Sequence, residues 1–245
     1  MDYLETQILL FYYDRPFMIR RFALESVCRS TLKHWELAFI DDSSRQDGEQ
    51  ILSVFFNERP QFRPHQPKIQ IYKTSDSLQM KRQRGQALIG KFANIAMEQS
   101  GAALSIMLCD DDGVTPDYLL NLSAFYNSHS EINYSYCHVL PYDPSACGSL
   151  EDIEFQDFYL NYLCPIRPER NLDSSQVSWR REAFLRAGMT FPFPQTACLD
   201  AAVYSQMCAK WGPCAWNGLY GQYKGWFSDQ LGNRAADSCW DVRVP

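Results

Sequence analysis

The chain has 245 residues, of which 46% are hydrophobic and 21% are charged, and its formal net charge is -6 at pH 7. This length and apolar content allow one large domain with a substantial core. The net negative charge does not indicate a generally basic surface for nucleic acid or anionic lipid, although a local basic groove stays possible. The nine cysteines contain no C-x-x-C pair and there are only four histidines, so a structural zinc site is not expected.

The first residues, MDYLETQILLFYYDRP, lack the basic segment of a signal peptide. No apolar run in the chain approaches membrane-spanning length. We interpret the cysteines mainly as small buried hydrophobes of a reducing compartment. Together these features predict a soluble, cytoplasmic protein without a transmembrane segment.

The first half of the chain alternates between strand and helix patterns. Apolar runs predict four strands, TQILLFYY (6–13), ELAFIDD (36–42), KIQIYKT (68–74) and ALSIMLCD (103–110). Helical spacing of apolar residues predicts helices after Pro16, over EQILSVFFNE (49–58), over residues 80–99 and after Pro116. Asp14 is the predicted N-cap of the first helix, and Pro16 lies in its first turn.

Strand–helix alternation predicts a mostly parallel sheet with helices on both faces. Ligands of such sheets bind beyond the carboxyl ends of the strands. Two acidic groups follow predicted strands, Asp41-Asp42 and Asp110-Asp111-Asp112. We therefore expect both groups at the mouth of a crevice.

The second half has less regular patterns. INYSYCHVLPYD (132–143) predicts a strand, LEDIEFQDFYLNYL (150–163) a helix, and SQVSWRREAFLRAG (175–188) a strand that runs into a helix ended by Gly188. CLDAAVYSQMCAKWG (198–212) predicts a helix with Gly212 just past its end. The tail from residue 213 has no clear period, which indicates a loop or short strands lying over the site.

Each acidic group has two interpretations. Adjacent carboxylates at residues 110–112 suit a hard divalent cation that also binds substrate phosphates, whereas Asp112-Gly113 alone is a common solvated turn. Asp41 and Asp42 can accept a hydrogen bond from a base N–H such as that of uracil, or they can cap a helix.

Four segments in chain order resemble inverting glycosyltransferases of the GT-A fold, particularly the large family-two type. The resemblance covers roughly residues 6–212. Its segments are FIDDSSRQDG, KFANIAMEQSGAALSIMLCDDDGVTPDYLLNL, SSQVSWRREAFLRAGMTFP, and the helix that begins near Leu199-Asp200. It implies a Rossmann-like α/β fold and one domain over 1–245, with a nucleotide-binding half (1–115), an acceptor-side half (116–212) and a C-terminal tail or lid (213–245).

The resemblance also implies metal-dependent transfer of a sugar, with inversion, from a nucleotide-sugar such as a UDP-sugar to an acceptor hydroxyl. The cofactor is Mn²⁺ or Mg²⁺, and the acceptor is an unidentified glycan, lipid, protein or modified nucleic acid. Asp200 matches the catalytic base, and Asp110 and Asp112 form a D-x-D pair for the metal. The implied donor residues are Tyr12, Asp14, Arg15, Asp41, Asp42, Arg84, Asn94, Asp110 and Asp111. Because Asp111-Asp112 also matches a doublet of the family, the register among the three aspartates stays open.

The chain departs from the family pattern at Ala93, where Arg is common, and at Leu199, where Glu is common. Asp200 could equally be a helix N-cap. Two other functions remain open at this point. A nucleotidyltransferase would use similar carboxylates, but FYYDRP lacks the glycines of a phosphate loop, and the missing Glu before Asp200 suits a non-catalytic binding module.

Other side chains have both a functional and a structural interpretation. Lys81, Arg82 and Arg84 could contact the donor diphosphate or form a solvated helix start. Tyr220, Tyr223 and Trp226 could stack on sugars or belong to the core, and Lys224 could reach a phosphate. Trp179 and Arg180-Arg181 lie on the acceptor-side strand, where a buried structural Trp is the simpler interpretation.

Overall fold

The secondary structure comes from a computed structural model, which describes residues 3–12, 14–41, 45–65, 68–73, 88–142, 150, 174–193 and 199–225. The strands are β1 (Thr6–Tyr12), β2 (Trp35–Asp41), β3 (Lys68–Lys73), β4 (Leu104–Cys109), β5 (Gly113–Val114), β6 (Tyr134–Tyr142), β7 (Val177–Arg180) and β8 (Ala215–Gly225). The α-helices are α1 (Pro16–Met18), α2 (Leu24–Arg29), α3 (Gly48–Glu58), α4 (Ile89–Gln99), α5 (Tyr118–Ser128), α6 (Arg181–Arg186) and α7 (Leu199–Trp211). A π-helical segment, Ile19–Ala23, joins α1 to α2, and 3-10 turns cover Pro60–His65 and Ser174–Gln176.

The strands form one sheet in the order β3-β2-β1-β4-β7-β6-β8-β5. The first four strands are parallel, as predicted. Strand β7 is antiparallel to both β4 and β6, and β8 is parallel to β6. Strands β6 and β8 therefore run in the same direction as β4, so the carboxyl ends of β2, β1, β4 and β8 all lie at one edge of the sheet.

Helices cover both faces of the sheet, because alternate residues of the buried strands point to opposite sides. On β1, Leu10 belongs to a core cluster with Ile51 of α3 and Leu119 of α5. Its neighbour Leu9 belongs to a second cluster with Ala93 of α4 and Val203 of α7. This confirms the predicted fold class, a mostly parallel sheet flanked by helices.

The start of the first helix differs from the prediction. Arg15 occupies the N-cap position and makes no side-chain cap hydrogen bond, while Pro16 begins α1 as expected. Asp14 has a positive φ of 64°, and its carboxylate accepts hydrogen bonds from the backbone N–H of Arg45 at 3.1 Å and from Arg45 Nε at 2.6 Å. Asp14 therefore ties the β1–α1 loop to the chain after β2 and does not cap the helix.

Of the two forms predicted for the tail, a loop or short strands, the structure shows a strand over the first part. Residues Ala215–Gly225 form one long strand inside the sheet, with register shifts near Gly218, whose φ is +74°. Gly188 and Gly212 end their helices with positive φ, as predicted. Residues 151–163 of the predicted helix 150–163, residues 80–87 of the central helix, and residues 226–245 lie outside the described residues.

The acceptor-side strand β7 is held by structural contacts. Trp179 is fully buried and packs against Phe184 and Phe191, which confirms the structural interpretation. Arg180 donates to the carbonyl oxygens of Tyr126, His129 and Ile132 at the end of α5. Arg181 donates to those of Met97 and Ala102 near the end of α4. Cationic side chains at helix C-termini satisfy carbonyls that lack helical partners.

None of the described helices has the length and apolarity that a membrane span requires. The five cysteines in the described ranges, Cys28, Cys109, Cys137, Cys208 and Cys214, are free thiols.

Candidate active site

Several predicted site residues meet at the shared carboxyl edge of β2, β1 and β4. Tyr12 and Asp41 are the last residues of β1 and β2, and they are direct partners in the parallel register. Cys109 ends β4 opposite Phe11, and the three aspartates follow it immediately. Tertiary structure thus brings together acidic residues that are about seventy positions apart in the chain.

The three aspartates are buried, with exposed fractions of 0%, 2% and 0% for Asp110, Asp111 and Asp112. Burying carboxylates is costly unless each one is paired with a charge or hydrogen-bonded. Arg15 supplies part of this pairing, because its Nη2 lies 3.2 Å from Asp110 Oδ1 and its Nη1 donates to Asp111 Oδ2 at 2.6 Å. Burial alone would lower the pKa of Arg15, but Asp110 and Asp111 outweigh it and raise that pKa. Arg15 therefore stays cationic.

The end of β8 supplies the partners of the third carboxylate. Lys224 Nζ donates to Asp112 Oδ2 at 3.1 Å, and the backbone N–H of Gly225 donates to Asp112 Oδ1 at 3.3 Å. The Lys224 side chain is only 12% exposed. Both oxygens of Asp112 thus contact β8, which the sequence placed in an irregular tail.

The backbone of the aspartate segment is also held firmly. Tyr142 Oη donates to the carbonyl oxygen of Asp111 at 2.7 Å, and the N–H of Asp112 donates to the carbonyl oxygen of Cys109 at 3.2 Å. The N–H of Val114 donates to Ser26 Oγ at 3.0 Å. A freely solvated turn would not show this set of buried contacts. The contacts therefore fix the position of the aspartate segment at the carboxyl edge of the sheet.

One group of ligand atoms in the described part of the chain is close enough to hold a metal ion. It comprises Cys109 Sγ and carboxylate oxygens of Asp111 and Asp112, all within 4.8 Å of one another. Burial, with a further contribution from Asp112, raises the pKa of the Cys109 thiol well above its usual value, so the sulfur stays protonated. Two carboxylates without a thiolate match the oxygen preference of Mn²⁺ or Mg²⁺, with phosphates completing the shell.

Around Tyr12 the carboxyl edge of the sheet is acidic. The Tyr12 hydroxyl is buried and has no hydrogen-bond partner among the described residues. Burial first, then the charges of Asp14, Asp41 and Asp110, raise the pKa of Tyr12, so the phenol remains a proton donor. Asp41 Oδ2 accepts a hydrogen bond at 3.1 Å from the N–H of Gly48, the first residue of α3, whereas the N-cap of that helix is Asp47, which accepts from the N–H of Gln50. Asp42 lies outside the described residues.

Asp200 lies in the first turn of α7, which already includes Leu199. Its Oδ1 accepts a hydrogen bond from the N–H of Ala201 at 2.8 Å. One turn further, Tyr204 Oη donates to the carbonyl oxygen of Ser174 at 2.8 Å, and Ser174 Oγ lies 3.5 Å from Cys109 Sγ. A chain of contacts therefore links the face of α7 that carries Asp200 to the start of the aspartate segment.

Asn94, a predicted donor residue, contacts the backbone of Phe191 in the structure. Its Nδ2 donates to the carbonyl oxygen of Phe191 at 2.9 Å, and its Oδ1 accepts from the N–H of Phe191 at 2.7 Å. One turn earlier, a Cβ on Gly90 would lie 2.2 Å from the carbonyl oxygen of Pro192. Helix α4 thus packs against the backbone of residues 191–192. These residues lie shortly before α7 and Asp200 in the chain.

Replacing Asn94 by Ala is expected to lower the free energy of unfolding by about 1–3 kcal/mol, because Phe191 loses both partners in a partly buried contact. Urea denaturation measures the change. Gln206 is a matched control, since its side chain makes the same pair of contacts with the backbone of Thr190 but is solvent-exposed there. An equal loss in Gln206→Ala would contradict a special docking role for Asn94.

The sequence patterns thus predicted most of the residues at the carboxyl edge of the sheet but not their hydrogen-bond and ion-pair partners. Tyr142, Ser26 and Ser174 were missed, since single Tyr and Ser residues carry no local signal of a distant contact. Lys224, for which contact with a phosphate was one interpretation, pairs with Asp112 here. Arg84, together with Lys81 and Arg82, lies outside the described residues, as does Trp226.

Comparison with solved structures identifies the fold. The S. aureus TarS 1-349 structure covers 91% of this chain with a TM-score of 0.64 at 14% sequence identity, and 60% of that structure is matched. The same protein in complex with UDP-GlcNAc gives a TM-score of 0.66 at 13% identity over 93% of this chain and 60% of that one. The mannosyltransferase PcManGT from Pyrobaculum calidifontis, in complex with GDP-Man and Mn²⁺, gives 0.59 at 12% identity over 100% of this chain and 66% of that one.

These likenesses establish a GT-A-like glycosyltransferase fold, as the sequence predicted. The chain spans about 60% of the length of the TarS 1-349 structures that it matches. No protein-family model matches the chain, and no curated protein matches it.

Proposed function

We propose that the protein is a glycosyltransferase that moves a sugar from a nucleotide-sugar, a UDP-sugar in the first instance, to an acceptor hydroxyl with inversion. The observation that carries this proposal is the buried aspartate segment 110–112, held at the carboxyl edge of a GT-A-like sheet. Structures with this fold have been determined with UDP-GlcNAc and with GDP-Man and Mn²⁺. Nucleotide-sugars are therefore the ligands to test first.

The donor site in this proposal lies over the ends of β1, β2 and β4. Tyr12 offers a buried hydroxyl without a partner in the described ranges, and Asp41 stands beside it to accept from a base N–H. The charges of Asp14 and Asp110 act on the same hydroxyl by raising its pKa, and Arg15 is one-third exposed and cationic next to the aspartates. Asp42 and Arg84 belong to the proposed site through the family resemblance alone.

The metal ligands in the proposal are Asp111 and Asp112, whose oxygens lie in the one compact group. This pair differs in one member from the D-x-D pair Asp110 and Asp112, because Asp110 contributes no oxygen to that group; Arg15 pairs with both Asp110 and Asp111. A bound Mn²⁺ or Mg²⁺ would neutralise the charge that develops on the leaving diphosphate. Asp110 would then serve the ribose side of the donor.

Asp200 is the proposed catalytic base. Its carboxylate would take the proton of the acceptor hydroxyl as the new C–O bond forms and the bond to the diphosphate breaks. The hydrogen bond from the backbone N–H of Ala201 orients the Asp200 carboxylate, which lies in the first turn of α7. Asn94 supports the segment leading to this helix rather than the donor itself.

Incubating the protein with UDP- and GDP-sugars, Mn²⁺ and a panel of acceptors tests the proposal. Release of nucleoside diphosphate supports glycosyl transfer. Pyrophosphate release from a nucleoside triphosphate would instead identify a nucleotidyltransferase, and saturable binding without turnover would identify a binding module.

Replacing Tyr12 by Phe tests the donor site separately. The change is expected to weaken UDP binding by roughly two- to tenfold, the usual worth of one hydrogen bond, because the ligand loses a buried donor. Stability should not fall, since the hydroxyl has no protein partner in the described ranges. Calorimetric titration with UDP and thermal denaturation provide the two readouts, and unchanged UDP affinity would exclude the hydroxyl from the site.

A further inference from the structure

Lys224 holds the carboxylate that the proposed metal site needs. Its ammonium group lies 3.1 Å from Asp112 Oδ2, and the side chain is nearly buried. Asp112 itself is completely buried and accepts from Gly225 through its other oxygen. The carboxylate is therefore neutralised by a cation of the protein itself.

We propose that Lys224 makes metal binding depend on the donor. In this mechanism the lysine competes with a divalent cation for Asp112, so that the ion alone binds weakly. When a nucleotide diphosphate arrives, its oxygens offer the ammonium group a new partner, and Asp112 becomes available to the ion. The inference rests on the proposed function, because it takes the aspartate segment to be the site for metal and diphosphate.

The charges of the segment support this competition. Arg15 pairs with Asp110 and Asp111, and Lys224 pairs with Asp112, so two cationic side chains face three carboxylates. A divalent ion that entered this group without a diphosphate would meet the Lys224 ammonium group at the same carboxylate. Like charges at such short range repel strongly, and the repulsion is screened little in a buried site.

The position of Lys224 also allows it to change partners. The residue is the second-last of β8, whose carboxyl end lies at the same edge of the sheet as those of β1, β2 and β4. Lysine carries a compact charge on a flexible four-carbon stem, so its ammonium group can move while the strand stays in place. Phosphate oxygens bound over this edge would lie on the side where the proposed donor residues Tyr12 and Arg15 are found.

The test measures Mn²⁺ affinity by electron paramagnetic resonance of the free ion, with and without saturating UDP or GDP. In the wild-type protein we expect the nucleotide to strengthen Mn²⁺ binding by about tenfold or more, within the usual range of coupling between sites. In Lys224→Met we expect Mn²⁺ alone to bind about tenfold more tightly and the nucleotide effect to shrink. Because such coupling is reciprocal, Mn²⁺ should strengthen UDP binding by the same factor in each protein.

Two variants serve as controls. Lys224→Arg keeps the charge and should keep the weak binding of Mn²⁺ alone. Lys68→Met removes a lysine that pairs with a buried carboxylate, Glu36, at 2.9 Å near the opposite edge of the sheet, and it should leave Mn²⁺ affinity unchanged. If Lys224→Met is destabilised, Lys224→Gln repeats the test, and added Mn²⁺ should raise its melting temperature more than that of the wild type.

The outcomes separate this inference from the proposed function. Equal Mn²⁺ affinities in wild type and Lys224→Met, with nucleotide and Mn²⁺ both binding, would overturn the role of the lysine and leave the proposed function intact. A wild-type protein that binds neither Mn²⁺ nor nucleotide would overturn both. Tighter Mn²⁺ binding in Lys224→Met but not in Lys224→Arg or Lys68→Met supports the inference.

Discussion

Replacing Asp200 by Asn is expected to lower the rate of sugar transfer by about a hundred- to ten-thousand-fold, the usual contribution of a general base. The amide has nearly the same size as the carboxylate and can still accept from the N–H of Ala201, so the start of α7 should be preserved. Affinity for UDP should be unchanged, because Asp200 serves the acceptor in this proposal. Single-turnover kinetics and calorimetric titration with UDP measure the two quantities.

Glu182 provides a matched control for this experiment. It is another acidic residue in the first turn of a helix, α6, and it is exposed. Glu182→Gln should leave transfer unaffected. Wild-type turnover in Asp200→Asn would remove Asp200 from the role of base, and loss of UDP binding in that variant would indicate a structural effect instead.

The second large effect is expected from replacing Arg15 by Met. This change leaves the buried carboxylates of Asp110 and Asp111 without their shared cation, and breaking a buried ion pair typically costs about 3–5 kcal/mol. The Arg15 side chain is 33% exposed, so water compensates in part and we expect the free energy of unfolding to fall by about 2–3 kcal/mol. UDP binding should weaken as well, because the aspartate segment loses its anchor to the end of β1.

Arg45→Met is the control for Arg15. Arg45 also donates to an aspartate, Asp14, at 2.6 Å, but its side chain is 77% exposed. Exposed pairs contribute only about 0–1 kcal/mol, so the loss should be small. Urea denaturation compares the two variants directly, and similar losses in both would show that the burial of Asp110 and Asp111 does not govern the energetics of this edge.

The register of the proposed metal ligands shows where sequence spacing stops being informative. A D-x-D pattern favours Asp110 and Asp112, whereas the oxygens that lie close together belong to Asp111 and Asp112. Arg15, which is more than ninety positions away in the chain, pairs with both Asp110 and Asp111 and so does not decide between them. Spacing along a short turn cannot encode which of its carboxylates the fold directs toward one point.

Asn94 and Asp14 show the same limit. Each matched a pattern found in a short segment of the sequence. Asn94 matched an Asn that the family carries on a helix, and Asp14 matched an N-cap before Pro16. In the folded chain Asn94 binds the backbone of Phe191, and Asp14 binds Arg45. Polar side chains take whichever partner the packing brings near, and the packing is set mainly by apolar surfaces elsewhere.

By itself the sequence determined the strands and helices of the first half, the parallel part of the sheet, and the placement of acidic residues at the ends of β2 and β4. These features are local, because the period of apolar residues and the residues at element ends are properties of short segments. The tertiary structure alone decided that β7 enters the sheet antiparallel, that β8 is a sheet strand, and that Lys224 meets Asp112. These pairings join residues that are roughly seventy to 112 positions apart, and only the packing of the whole sheet brings them into contact.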